Sequence, residues 1–213
     1  MINNQIGVVI VTFNRVEMLE EALSCFHNQT FKPSYVVVVN NASTDRTGEF
    51  LKKWKGEIED YSKYVITLDK NMGGSGGFSK GIEFASTLES EWIWLSDDDA
   101  FPYKDALQKA EDFICTSATE RTVCICGSVI NNKAIDISHR RFITSNLFSV
   151  KEKYCSSELY NKEFFPLNGI SFVGSIIRKQ AIQEVGLPET GFFIWYDDTE
   201  YGLRLSKIGE VLC

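Results

Sequence analysis

The chain has 213 residues, of which 44% are hydrophobic, 13% aromatic and 24% charged, proportions of a globular protein rather than a disordered or fibrous one. Its 22 lysines and arginines face 29 aspartates and glutamates, for a net charge of −7. That is the wrong sign for general nucleic-acid binding, which neutralises phosphates over a broad face, and for attraction of the whole surface to anionic lipid.

The first apolar run, Ile6–Val11, is too short for a membrane span and lacks the flanks of a signal peptide, and no later segment reaches the roughly 18 apolar residues a span needs. Six cysteines (Cys25, Cys115, Cys124, Cys126, Cys155, Cys213) contain no CxxC pair, and His27 and His139 follow no zinc spacing. Reduced thiols in the core of a cytoplasmic protein are the expectation. The length fits one domain, 1–213, without repeats or a low-complexity linker.

In chain order, Ile6–Thr12 is β-branched and predicts a strand, with Asn14 placed to cap a helix carrying Leu19, Leu23 and Phe26. Tyr35–Val39 predicts a second strand, closed by Asn40-Asn41. Thr44 or Asp45 is placed to cap the next helix, which carries Phe50, Leu51 and Trp54. Tyr64–Leu68 predicts a third strand, followed by a glycine-rich turn and a helix over Phe78–Leu88. Trp92–Ser96 is the fourth strand and ends in three aspartates; a helix from Tyr103 to about Ala118 and a strand at Thr122–Cys126 follow.

Continuous apolar strands between amphipathic helices imply an α/β fold with a mostly parallel sheet covered on both faces. Right-handed crossovers then bring the strand C-termini to one edge, where ligands of such sheets bind. Thr12–Arg15, Asn40–Asp45, Asn71–Gly77 and Asp97–Asp99 should meet there. Residues 128–165 read as polar and irregular, with basic density at Lys133, His139, Arg140, Arg141, Lys151 and Lys153. An aromatic run, Phe192–Tyr196, precedes Asp197-Asp198, and Tyr201–Lys207 reads as helical.

Three segments carry chemistry. Asp97-Asp98-Asp99 places like charges side by side, which costs stability unless a cation or solvent relieves it. Alternate residues of an extended segment point the same way, so Asp97 and Asp99 could face one ion, with magnesium or manganese suited to oxygen ligands. A bare acidic triplet also reads as a solvated turn; its position after Trp92–Leu95 favours the ion. The glycine run Gly73-Gly74-Ser75-Gly76-Gly77 allows close approach to a phosphate or sugar, or simply a tight connection. It is neither a Walker A loop nor a dinucleotide fingerprint. Trp195-Tyr196-Asp197-Asp198-Thr199-Glu200 joins aromatic faces to carboxylates, one of which could take a proton from a hydroxyl, and the same acids would suit a helix N-terminus.

Taken in order, Val11-Thr12-Phe13-Asn14-Arg15, Asn40–Asp45, the glycine run, Leu95–Asp99 and Phe193–Arg204 resemble the motifs of a family 2 glycosyltransferase of the GT-A fold, from about Ile6 to the chain end. GGSGGF and WYDDTEYGLR are most similar to bacterial galactofuranosyltransferases and rhamnosyltransferase-like members. The resemblance implies that Thr12, Asn14 and Arg15 line a nucleotide pocket. Asn40 stands where many members have an aspartate that contacts the base, and Asp45 supports that loop. Gly73, Gly74, Gly76 and Gly77 would pass beside the donor sugar or diphosphate. Asp97 and Asp99 would hold Mn2+ or Mg2+ with the donor diphosphate, Asp98 lying between them. Asp198 matches the catalytic base, while Trp195, Asp197 and Gly174 belong to the acceptor side.

The implied activity is inverting transfer from a UDP- or dTDP-sugar, galactofuranose or rhamnose among the candidates, to a glycan or lipid-linked glycan acceptor. Residues 1–127 would bind the donor and 128–213 the acceptor. The chain ends fifteen residues past Asp198, where the family usually continues and often supplies a histidine to the metal, so continuation beyond Cys213 is expected. An inactive nucleotide-sugar-binding module is the second reading and a sugar nucleotidylyltransferase the third. The basic stretch Lys133–Lys153 adds the expectation of a peripheral membrane contact through Arg140 and Arg141.

Overall fold

The computed structural model describes residues 6–146 and 149–213. Strands β1 (Ile6–Thr12), β2 (Tyr35–Asn40), β3 (Ser62–Thr67), β4 (Trp92–Asp97) and β5 (Thr122–Cys126) alternate with helices α1 (Val16–His27), α2 (Thr47–Gly56), α3 (Gly73–Ala85) and α4 (Ala106–Thr116). Two short hairpins follow, β6 (Ile130–Asn131) with β7 (Ala134–Ile135) and β8 (Arg141–Asn146) with β9 (Ser149–Tyr154). Then come β10 (Ser175–Arg178), α5 (Lys179–Val185), α6 (Asp197–Ile208) and β11 (Glu210–Leu212).

Seven strands form one sheet in the order β11-β5-β10-β4-β1-β2-β3. All pair in parallel except β10, which runs antiparallel between β4 and β5. Strand residues alternate between two cores. Val9, Val11, Val37, Val39, Ile93 and Leu95 pack with Phe78 and Ile82 of α3 and with Ala181, Ile182, Tyr201 and Leu205 of α5 and α6. Ile6, Val8, Ile10, Val36, Val38, Trp92 and Trp94 pack with Leu19, Leu23 and Phe26 of α1, Leu51 and Trp54 of α2, and Leu107 of α4. Burial on both faces is why β1 and β2 carry apolar residues at successive positions.

The glycine run is not a turn ahead of a helix: it forms the first turns of α3. Glycine is a poor helix former, and packing overrides that tendency here. A Cβ on Gly77 would stand 2.5 Å from Val11 Cγ1, and one on Gly81 would stand 2.4 Å from Val9 Cγ1, so these positions let the helix lie directly on β1. Residues 128–165 are also more ordered than their polarity implies, since β8 and β9 pair over six residues. Every residue of β9 is exposed and, among the described side chains of β8, only Ile143 is buried, too little to imprint an apolar alternation on the sequence.

Both expected caps differ in detail. Asn14 is left-handed, with φ 55°, and no side chain caps α1. Asp45 Oδ1 accepts from Thr47 N at 3.0 Å at the start of α2, whereas Thr44 turns its amide to Asn14 Oδ1 at 2.7 Å. Cys124, Cys126 and Cys155 are buried in the core, and Cys115 is exposed. Among the described residues no helix is long and apolar enough to cross a membrane.

Gly77→Ala should cost about 1–3 kcal/mol through overpacking against the stiff Val11 side chain. A Cβ on Gly74 would meet nothing within 4 Å, so alanine should be accepted there at no cost or with a gain of up to about 1 kcal/mol. Urea unfolding of the two variants beside the wild type measures both.

Candidate functional site

The parallel register sets the site. Thr12 pairs with Asn40 across β1 and β2, and Val11 pairs with Asp97 across β1 and β4, so the three polar strand ends lie side by side. Thr12 Oγ1 donates to Asp98 Oδ2 at 2.7 Å. Arg15 reaches Asp98 Oδ1 at 3.4 Å and Asp99 Oδ2 at 2.7 Å. Asp98 is therefore buried and held by β1 and its loop, Asp97 is half-buried, and Asp99 is exposed.

The neighbouring loops are tied together by asparagines. Asn40 Oδ1 accepts from Ser43 N at 3.0 Å, and Asn14 Oδ1 accepts from the amides of Thr44 and Asp45 at 2.7 and 3.3 Å. Asn41, which is not among the candidate residues read from the sequence, bridges to α3: its Nδ2 donates to Gly73 O at 2.9 Å and its Oδ1 accepts from Met72 N at 2.8 Å. Its place beside Asn40 after an apolar strand was the available signal.

The start of α3 meets the second half of the chain. Gly73 has φ +70°, and a Cβ there would fall 1.9 Å from Phe193 O; Ser75 N donates to the same oxygen at 3.3 Å. Gly76 packs on Met72 and Gly77 on Val11, so of the run only Gly74 has open space beside it. Gly174, with φ +67°, donates its amide to Leu95 O at 3.1 Å and so lies beside the end of β4.

Phe193, Trp195 and Tyr196 all have positive φ (62°, 70° and 67°), and the bend they make delivers Asp197 and Asp198 to the first turn of α6. Trp195 is 76% exposed and Asp197 is buried. Asp198 Oδ1 accepts from Thr199 N at 2.5 Å and Thr199 Oγ1 at 3.1 Å. The two acidic segments, a hundred residues apart in sequence, act on one another. Burial first, then the charges of Asp99, Asp98, Asp198 and Asp197, push Asp97 up to about 7. Burial, then Asp198, pushes Asp197 up to about 6. Asp98 and Asp198 are also raised by burial, against the pull of Thr12 and Arg15 on the first and of Arg141 on the second.

The basic stretch separates into unlike parts. Lys133, Lys151 and Lys153 are exposed, but Arg140 is fully buried, its guanidinium donating to the carbonyls of Gly127 at 2.8 Å, Val173 at 2.7 Å and His139 at 2.9 Å. Arg141 turns inward to Thr199 and Glu152 at 2.6 and 2.5 Å. Both arginines are therefore engaged within the fold, and the exposed cations of the stretch are Lys133, Lys151 and Lys153. A buried arginine in a polar loop has no signature in the sequence.

An acidic centre at the carboxyl edge of a mostly parallel sheet, with an antiparallel strand beside it, is the architecture of the GT-A glycosyltransferases. Two solved structures share the fold. TarS of S. aureus in complex with UDP matches with TM-score 0.67 at 18% identity, over 97% of this chain and 57% of that one. The mannosyltransferase PcManGT of Pyrobaculum calidifontis, in complex with GDP-Man and Mn2+, matches with TM-score 0.70 at 17% identity, over 97% of this chain and 53% of that one. The chain belongs to glycosyl transferase family 2, whose model matches residues 7–186. Among its relatives is the galactofuranosyltransferase GlfT1 of Mycolicibacterium smegmatis, 26% identical over 204 residues; the match takes in 94% of this chain and 65% of that protein's length.

The acid cluster also fixes a pH dependence. Folded, Asp97 keeps its proton up to about pH 7; unfolded, it releases it near its ordinary value of 3.8. Between those values the folded state binds more protons, so without metal stability should fall as pH rises from about 4 to 7. Asp97→Asn should flatten that decline and stabilise the metal-free protein at pH 8 by about 1 kcal/mol or more. Thermal melts in EDTA from pH 4 to 8 read the slope directly.

Proposed function

We propose that this chain transfers a sugar, with inversion, from a nucleoside-diphosphate donor to a hydroxyl of a glycan or lipid-linked glycan, working in the cytoplasm. The observation that carries the reading is the convergence of Asp97, Asp98 and Asp99 with Asp197 and Asp198 at the strand ends. One acidic segment suits a cation and the other suits a base, which are the two roles this reaction asks of carboxylates. The name of GlfT1 and the UDP in the TarS complex support a uridine nucleotide and galactofuranose as the first donor to test, with dTDP and rhamnose as the alternatives.

The donor set fits a divalent ion. Asp97 offers carboxylate oxygen, and the largest charge effects on it come from other carboxylates, so it lies in uncompensated negative potential. Asp99 would join it while sharing its charge with Arg15. Among the described residues no group of three or more His, Cys, Asp or Glu is placed to hold an ion together, so donor oxygens and water would complete the shell. When bound, Mn2+ or Mg2+ offsets the charge that grows on the departing diphosphate.

The remaining work falls to the chain. Thr12, Asn14, Arg15, Asn40 and Asp45 shape the nucleotide side, with Asp98 fixing Thr12 and Arg15 in place. Gly73, Gly74, Gly76 and Gly77 pass beside the donor: Gly77 seats the helix on β1, Gly73 and Gly76 admit Phe193 and Met72, and Gly74 leaves the approach open. Trp195, Asp197 and Gly174 border the acceptor, whose sugar stacks on the exposed indole. Asp198 takes the acceptor's proton as its oxygen attacks the anomeric carbon from the side opposite the nucleotide. The bond from that carbon to the diphosphate oxygen breaks, and its electrons leave with the nucleotide. Holding both partners in line supplies much of the rate.

Asp198→Asn keeps the shape of the side chain and removes its basicity. Transfer from UDP-galactofuranose to an alkyl galactofuranoside should fall by about 10²–10⁴-fold. UDP binding should stay within about twofold of wild type. Unchanged transfer by this variant would remove the base from Asp198 and the mechanism with it.

A further inference from the structure

The five carboxylates of the site are met by cations from two sides. Arg15 serves Asp98 and Asp99. On the other side stands Arg141, the first residue of β8, whose side chain is 15% exposed and lies 4.0 Å from Asp198 Oδ1. Its Nη1 is paired with Glu152 Oε1 at 2.5 Å, and its Nη2 donates to Thr199 Oγ1 at 2.6 Å and to Ile170 O at 3.2 Å. Its Nε is buried without a partner.

The chemistry of these groups gives the contacts a direction. A guanidinium only donates, so Thr199 Oγ1 must accept from Arg141. The single hydroxyl proton of Thr199 is then free to point at Asp198 Oδ1, 3.1 Å away, beside the Thr199 amide at 2.5 Å. Both donors converge on Oδ1, which leaves Oδ2 as the oxygen for an incoming proton. The charges around Asp198 are unequal. Burial raises the cost of its ionisation, while Arg141 first, then the Thr199 hydrogen bonds and the more distant Arg140, lower it.

We infer that Arg141 is a positioning residue for the base: through Thr199 it fixes which oxygen of Asp198 faces the acceptor, and its guanidinium, 4.0 Å from Oδ1, is the cation paired with that carboxylate. This rests on the role proposed above for Asp198. It also gives the exposed β8–β9 hairpin a function, since the hairpin carries both Arg141 and the Glu152 that aligns it.

A double-mutant cycle tests the coupling without any need for turnover. Arg141→Gln should lower the melting temperature in the wild-type background. In an Asp198→Asn background, which no longer holds a charge to offset, that loss should shrink by at least about half. Equal losses in the two backgrounds would overturn the inference and leave Arg141 as a tie for the hairpin alone.

Kinetics supply the second arm, with UDP-galactofuranose as donor and an alkyl galactofuranoside as acceptor. Arg141→Gln should lower kcat by about tenfold or more with the donor KM within about twofold, and Arg141→Lys should restore part of kcat. If Arg141→Gln is too unstable to assay, Thr199→Val removes the relay hydroxyl at constant shape and should lower kcat in the same way. Wild-type kcat in both variants of an active enzyme would overturn the positioning role while leaving the proposed function intact. A wild type that neither binds nor turns over sugar nucleotides would overturn the proposed function instead, and the melting cycle would still decide whether Arg141 and Asp198 are coupled.

Discussion

Asp97 ends β4 at the centre of the sheet, and the charges acting most strongly on it are four other carboxylates. Like charges gathered in a half-buried site oppose folding, and the rest of the architecture accommodates that cost. Asp98 is neutralised locally by Thr12 and Arg15, Asp197 and Asp198 occupy the first turn of α6 where the helix dipole favours them, and Arg141 approaches from the hairpin. Asp97 is left as the group that a cation would relieve.

The glycine helix links the two halves of the domain. Gly77 and Gly81 let α3 lie on β1 and β2, and Gly73 and Ser75 receive the Phe193 carbonyl at the helix start. The bend that follows, with three residues of positive φ, brings Asp197 and Asp198 opposite Asp97. The aromatic run before α6 is thus fixed at one end by α3 and at the other by the helix it opens. Trp195 projects between them into solvent.

Much of this was legible in the sequence because both faces of the sheet are buried. Strands β1, β2, β4 and β5 are continuous apolar runs, and their ends fall within a residue of where the pattern stops. The meeting of Thr12, Asn40 and Asp97 followed from parallel topology alone. What remained illegible depends on tertiary contacts. Glycines at close approach and glycines in a turn have the same letters, so the start of α3 was misplaced. The β8–β9 hairpin has an exposed surface and no apolar rhythm. Arg140 and Arg141 are adjacent basic residues in a polar stretch, yet one is buried against backbone carbonyls and the other faces Asp198. Only the positions of their partners separate those roles.

The central claim is that the carboxylates at the strand ends form a cation-dependent nucleotide site. Calorimetric titration of UDP into the wild type and into Asp97→Ala, each with and without Mn2+, addresses it most directly. The account predicts that Mn2+ tightens UDP binding to the wild type by about tenfold or more, roughly 1.4 kcal/mol, and that the variant loses this gain. Equal UDP affinity with and without Mn2+ in the folded wild type would contradict it.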